Sequence, residues 1–516
     1  MPADALAAAR NQAWFAIEQS ANAHECEWLI DNAATYDHLV RSIRNAQSSI
    51  WISQLGLDVD CIAYGTGGAP DVNLADLIVE AATDRCVDVR ILMNKTLLLD
   101  TVTPLRKWLA SRDAPSVQVR GMSRFPQLLH AKMVVVDEEE VFLVGSPFVN
   151  GYWDDSTHAP TDARRPMREL GGRPLHDVSV RLTGSPVCDA MQLFTDWWNA
   201  ASADDCAEAK QTTVIERDNG VFARRPDKNA AVQLVSTSPS SEARRGRTDI
   251  LHACLDGIGR ARSLIYIEHQ YLSARPVVDA LESALAQNAD LEIIILLNQN
   301  PDITAYRRWQ NDRLKRSGLK SHPRVGIFSL WSTETKSDRI RATSQVFVHS
   351  KVLIVDDSWA MVGSANLDGV SLHSYGDDFA GPFARRLFRN VRNFDVTAVI
   401  RDGVDGVDAN GAIASLRTKL WAEHLGMNAG ATRERPAAGW LSLWRKRAEK
   451  NVAALDINDV HHRFRGFVLP YSERATPAAQ LSSLGIRRRS DSPTLRFNPG
   501  WMEVYLSPNW VRNMFL

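Results

Sequence analysis

One eight-residue pattern occurs twice in this 516-residue chain. The first copy is His130-Ala-Lys132-Met-Val-Val-Val-Asp137, with Gly145-Ser146 following. The second, 219 residues on, is His349-Ser-Lys351-Val-Leu-Ile-Val-Asp356, with Gly363-Ser364-Ala365-Asn366 following. A chain of this composition should hold such an octet on the order of a few hundredths of a time, so two copies are poorly explained by chance. The separation is too long for a solenoid repeat and suits a duplicated half-domain.

Val134 to Val136 and Leu353 to Val355 are unbroken apolar runs. They read as central strands buried on both faces. Residues two apart on a strand point the same way, so each octet's His and Lys share a face. Gly-Ser after the next apolar run reads as the end of a neighbouring strand. Two His, two Lys, two Ser and one Asn at one place would suit a phosphate ester. A phosphodiester anion repels nucleophiles, so its cleavage needs cations, a nucleophile and an acid for the leaving alkoxide. Histidine can fill either of the last two roles near neutral pH.

The second half repeats the first. Ile258 to Ile267 aligns with Ile43 to Ile52, and Asp395-Val396 with Asp177-Val178. Apolar strands alternating with helices of 3.6-residue spacing mean an α/β fold with a largely parallel or mixed sheet in each half. The expected organisation is an N-terminal helical extension over 1–35, a first half over 36–202, and a linker over 203–247, within which Val232 to Val235 has the makings of a short strand. A second half over 248–428 and a C-terminal extension over 429–516 follow.

The twin octets resemble the HKD signature of the phospholipase D superfamily, and within it the phosphatidylcholine-type phospholipases D. Ile265-Tyr-Ile-Glu268-His269-Gln270-Tyr271 is similar to that family's I-Y-I-E-N-Q-Y segment. Leu416 to Gly426 is similar to its L-R-x-x-L-W-x-E-H-L-G ending. The resemblance covers roughly 36–426. It implies two sheet-plus-helices halves related by pseudo-twofold symmetry, with the active site between them. It also implies cleavage of the distal phosphodiester bond of glycerophospholipids through a phosphohistidine, with transphosphatidylation to alcohols.

On that resemblance His130 is the expected nucleophile and His349 the acid that later serves as base. Lys132, Lys351, Ser146, Ser364 and Asn366 would hold the phosphate. Asp395 would orient His130 and Asp177 would orient His349, each from the opposite half. Gln270 and Glu268 are candidates for site lining or for scaffold. Asp137 and Asp356, five residues from the lysines, read as structural ion-pair partners. Two departures stand out: Phe148 occupies the place of a family Asn, with Asn150 nearby, and Asp395 stands where the family often has Glu.

Other readings of the same residues are a cardiolipin synthase-type phosphatidyltransferase, a nuclease of the superfamily and a non-catalytic binding member. A net charge of −1 counts against a nucleic-acid-coating surface and so against stable nucleic-acid binding. A His/Asp metal centre is disfavoured because a Lys beside each His would repel a cation. No metal or other cofactor is expected, since lysines do the neutralising.

No apolar run approaches the length of a membrane span, and Met1 to Asn22 holds no signal-like apolar core. The expectation is a monomer that meets phospholipid at a membrane surface, either cytoplasmic or exported by a signal-peptide-independent route. The six cysteines form no C-x-x-C pair and read as small hydrophobes in a reducing compartment. Trp440, Leu443 and Trp444 beside Arg445, Lys446 and Arg447 fit either an interfacial helix or one packing its Trp face on the body. Arg487 to Arg489 reads as a solvated loop, and the aromatic tail of Trp501, Tyr505, Trp510 and Phe515 as a docking segment.

Overall fold

The computed structural model describes residues 26–96, 99–123, 127–166, 172–201, 231–239, 246–299, 304–336, 339–373, 391–402, 411–455, 463–474, 477–486 and 494–495. Seven strands build the first sheet: β1 (Cys26–Ile30), β2 (Ser49–Ser53), β3 (Asp88–Asn94), β4 (Gln118–Met122), β5 (Met133–Val136), β6 (Glu140–Leu143) and β7 (Val178–Thr183). Their spatial order is 1-7-6-5-2-3-4. Strands β2, β3 and β4 pair in parallel and the other pairings are antiparallel, so the sheet is mixed.

The second sheet repeats that order. Seven of its twelve strands are β8 (Ala231–Ser238), β9 (Leu264–His269), β10 (Glu292–Leu297), β11 (Val325–Lys336), β12 (Lys351–Val355), β13 (Trp359–Gly363) and β14 (Asn393–Arg401). They run 8-14-13-12-9-10-11, with the parallel pairs again at β9, β10 and β11. The fold is a duplicated α/β unit.

The octet strands show why an unbroken apolar run is needed. Met133 and Val135 face a core shared by both halves, while Val134 and Val136 face the helices on the outer side of the first sheet. Val352 and Ile354 share the first core, and Leu353 and Val355 enter the outer core of the second half. The helix Ser185–Ala201 lies in the shared layer and touches both sheets, with Trp198 fully buried.

Two boundaries move. Cys26–Ile30 is not part of an N-terminal extension but the edge strand of the first sheet, and Asp31–Asn45 is already the first half's helix. Ala231–Ser238 is not linker but the matching strand of the second sheet, paired with β14 along its length from Ala231 to Thr237. Each half thus opens with a strand that pairs far along the chain. Residues 1–25 and 202–230 lie outside the described residues, as do Arg487 to Arg489 and the aromatic tail.

The helix Trp440–Leu455 turns its aromatic side inward. Trp440, Trp444 and Ala448 are buried, and the Trp444 ring lies 5.5 Å from Trp421 and 5.2 Å from Phe328. Val468–Pro470 adds a strand to β11. Among the described residues no helix is long and apolar enough to cross a membrane. Cys26, Cys61 and Cys254 are buried, whereas Cys86 is exposed.

Candidate active site

The two halves are joined by a pair of reciprocal backbone contacts. Leu128–Leu129, leading into the first octet, pairs in parallel with Asn393–Phe394 at the start of β14. Leu175–His176, leading into β7, pairs in parallel with Phe347–Val348 ahead of the second octet. The His130 N–H donates to the Phe394 carbonyl at 3.0 Å, and the His349 N–H to the His176 carbonyl at 2.8 Å. The histidines therefore sit just ahead of β5 and β12, in the lead-in rather than in the strand.

That register sets the next residue of each partner strand, Asp395 or Asp177, beside the imidazole. His130 Nδ1 lies 2.7 Å from Asp395 Oδ1, and His349 Nδ1 lies 2.9 Å from Asp177 Oδ2. All four side chains are buried. Each carboxylate occupies one ring nitrogen and leaves Nε2 for chemistry.

The serines support the carboxylates. Ser146 Oγ donates to Asp177 Oδ2, and Ser364 Oγ donates to Asp395 Oδ1 at 2.7 Å. They were expected to hold phosphate, but their hydroxyl protons are already engaged. The preceding glycines follow from close approach: a Cβ on Gly145 would stand 2.0 Å from Asp177 Oδ1, and one on Gly363 would stand 2.5 Å from the Thr397 Cα.

Lys132 and Lys351 are both buried. Lys132 Nζ donates to the His130 carbonyl at 2.8 Å, and Lys351 Nζ lies 3.0 and 3.1 Å from the two ring nitrogens of His349. Burial, then the Lys351 charge, lowers the Lys132 pKa to about 7. Burial and Lys132 pull His130 down to about 4 against the opposing pull of Asp395. Burial and Lys351 pull His349 down to about 3. Burial raises Asp177, but His349 and Lys351 outweigh this and hold it at about 2. The two octets thus act on one another electrostatically, with both imidazoles poised neutral and a cation beside each.

Asn366 is buried, and its Oδ1 has no hydrogen-bond partner among the described residues. Its counterpart position, Phe148, points into the outer core of the first half, edge-on to Tyr36. Asn150 does not take its place, because its amide donates to the Asp60 carbonyl and to Asp60 Oδ1. The two octet loops thus differ: at this position the second half offers an amide and the first a phenyl ring.

Among the described residues Asp137 and Asp356 meet backbone amides rather than an ion-pair partner. Asp137 accepts from the backbone N–H groups of Gln47, Ser48 and Ser49 at 2.7 to 3.0 Å. Asp356 accepts from those of Arg262, Ser263 and Leu264 at 2.6 to 2.8 Å. Each fastens the start of a neighbouring strand from a turn with two consecutive positive-φ residues, Asp137-Glu138 and Asp356-Asp357. A row of amides, not a cation, supplies the positive partner.

Glu268 accepts from the Tyr266 hydroxyl at 2.6 Å and lies 3.0 Å from His424 Nε2 and 2.8 Å from His176 Nε2, so it braces the residue before Asp177. Gln270 donates to the Tyr271 hydroxyl at 2.9 Å. His269 was passed over in the sequence, yet it stands opposite Lys351 in the β9–β12 ladder and is buried. Its signal was the histidine where the similar family segment has Asn.

A family model described as "Cardiolipin synthase, PLD-like domain" matches residues 39–148 and 254–378, and one described as "Phospholipase D" matches residues 318–488. The chain belongs to the phospholipase D superfamily. It is 35% identical over 239 residues to phospholipase D zeta 2 of Arabidopsis thaliana, covering 38% of this chain and 22% of that protein. It is 21% identical over 468 residues to phospholipase D alpha 1 of Zea mays, covering 69% and 56% respectively. This phospholipase D-superfamily chain thus spans between 22% and 56% of the length of these two relatives. Among solved structures, phosphatidylserine synthase of Haemophilus influenzae Rd KW20 superposes with a TM-score of 0.47 at 14% identity, over 75% of this chain and 86% of that one.

Proposed function

We propose that the chain is a phospholipase D acting on glycerophospholipids at a membrane surface, releasing the headgroup and leaving phosphatidic acid. The observation that carries this is the crossed pair of contacts, His130 with Asp395 and His349 with Asp177, each beside a buried lysine.

The proposed chemistry uses the Nε2 atoms, which the carboxylates leave open, with Lys351 Nζ beside that of His349. His130 Nε2 attacks phosphorus, the P–N bond forms, and the bond from phosphorus to the headgroup oxygen breaks. His349 gives its proton to that oxygen. An approaching phosphodiester anion favours the protonated imidazole, because an opposite charge nearby raises its pKa. Lys132, Lys351 and Asn366 meet the non-bridging oxygens. In the second stage His349 takes a proton from water, whose oxygen attacks phosphorus and breaks the P–N bond. An alcohol in place of water gives transphosphatidylation.

The match to a model described by cardiolipin synthase supports a second reading, in which the acceptor is a lipid alcohol. Mixed phospholipid vesicles separate the two. The first reading expects phosphatidic acid, and phosphatidylethanol when ethanol is added, with His130→Ala and His349→Ala both inactive. Cardiolipin as the main product from phosphatidylglycerol vesicles would favour the second. Wild-type protein inert on all these lipids would overturn both.

A further inference from the structure

Behind the active site lies a second constellation that the proposed reaction does not use. Asp31, His158 and His176 come from the first half, and Glu423 from the helix Ala412–Leu425 of the second. One nitrogen or oxygen from each falls within 4.8 Å of all the others. His176 Nδ1 lies 2.9 Å from Asp31 Oδ1 and 3.2 Å from Glu423 Oε1. His158 Nε2 lies 3.3 Å from Glu423 Oε1 and 3.8 Å from Asp31 Oδ2.

Four features separate this cluster from an ordinary ion-pair network. The first is spacing. Bonds of about 2.0–2.2 Å to a tetrahedral zinc ion put neighbouring ligand atoms about 3.3–3.6 Å apart; both imidazoles stand 3.2 and 3.3 Å from Glu423 Oε1, and the two Asp31 oxygens lie 2.9 and 3.8 Å from them. The second is the outer shell. His158 gives its other nitrogen to Asp154 at 3.0 Å, and His176 gives its other nitrogen to Glu268 at 2.8 Å. A carboxylate behind each ligating imidazole is the usual way a metal site fixes ring orientation.

The third is depth. Asp31 and His176 are fully buried, and their side chains meet one another and the other members of this polar cluster in the contacts named above, His176 Nδ1 to Asp31 Oδ1 at 2.9 Å and His176 Nε2 to Glu268 at 2.8 Å. A knot of carboxylates and imidazoles this far from water asks for a compensating charge, an ion or protons on the rings. The fourth is charge. Asp31, Asp154, Glu268 and Glu423 converge here, and the guanidinium that meets them, Arg165, is bound to Asp154. Asp31 and His158 also hold φ values of +62° and +42°, unusual for residues with a Cβ.

We propose that Asp31, His158, His176 and Glu423 bind one divalent transition-metal ion of zinc-like preference, which clamps the two halves together. The ion takes no part in the cleavage. It fixes His176, and through it the adjoining Asp177 and the backbone carbonyl that receives the His349 N–H.

The test is elemental analysis of the full chain after loading with Zn2+ and desalting. The expected content is about one ion per chain, with a melting temperature lowered by a chelator and restored by Zn2+. Glu423→Gln and His158→Gln should bring the content to background, while His349→Ala keeps it. Should those variants fail to fold, Co2+ loaded into the wild type still reports, through the visible absorption of a tetrahedral site that Zn2+ abolishes. Wild-type protein that retains no ion after loading, or folded Glu423→Gln that retains it in full, would overturn the proposal and leave a network balanced by protons on the imidazoles.

Discussion

The His349 imidazole and the Asp177 carboxylate meet at 2.9 Å across the junction of the two halves, and the His349 N–H is bonded to the residue just before Asp177. Backbone pairing and side-chain pairing therefore enforce each other. The same relation holds for His130, Phe394 and Asp395. Because the carboxylate comes from the opposite half, neither half alone holds a complete histidine pair.

Asp177→Asn and Asp395→Asn keep the shape and remove the charge that orients each imidazole. Each should lower kcat by roughly 10²–10⁴-fold, the range of a lost acid–base contribution, with little change in KM. Steady-state kinetics on short-chain phosphatidylcholine checks this. An unchanged kcat would show that neither carboxylate acts on its histidine.

The buried cations set the pH response of the free enzyme. With His130 lowered to about 4, attack by the neutral ring is available above that pH. With Lys132 lowered to about 7, the cation is lost as pH rises through neutrality. The kcat/KM profile should fall on its alkaline side near pH 7. Lys132→Arg carries a charge that does not titrate in this range, so its residual activity should keep no such limb.

Acid stability follows from the same groups. His130 and His349 have pKa values of about 4 and 3 when folded, below the ordinary 6.5. The unfolded chain then binds more protons between pH 6.5 and those values, so their contribution is present above pH 6.5 and is lost as pH falls through that window. Urea melts from pH 7 to 4 should show declining stability, with a shallower decline in the double variant His130→Asn, His349→Asn.

Asp137 and Asp356 belong to stability rather than chemistry. Replacing either with Ala leaves three backbone amides without their acceptor. The expected cost is about 1–3 kcal/mol for each, read by chemical denaturation, with kcat per folded molecule unchanged. A large loss of kcat at full stability would contradict that assignment.

Gly145→Ala puts a methyl group against the Asp177 carboxylate, which must move. A displacement of about 1 Å in a catalytic array can cost about 10²-fold. A fall of that order in kcat, in a protein that still melts cooperatively, is the expected result.

The sequence carried the duplication, the mixed α/β class and the octets, because these are local patterns of periodicity and spacing. The contacts of Asp177 and Asp395 came through resemblance alone, since nothing local pairs residues 172 and 265 positions apart. Cys26–Ile30 escaped, and Ala231–Ser238 was glimpsed only as a short strand inside a linker, because the main ladder of each is with a strand roughly 150 or more residues away. Asp137 and Asp356 were misread because a carboxylate in sequence shows its charge but not whether a lysine or a row of amides will meet it. The Asp31, His158, His176 and Glu423 cluster had no spacing to betray it.

The most direct test of the two-histidine account uses a p-nitrophenyl phosphodiester with a lipid-like alcohol. Its leaving group needs no proton, so the first stage no longer depends on His349. Rapid quenching and peptide mass spectrometry would locate any covalent adduct. The account predicts that His349→Ala gives a burst of p-nitrophenol and accumulates the adduct on His130, while His130→Ala gives neither. An adduct on His349, a burst in His130→Ala, or turnover without any adduct would contradict it.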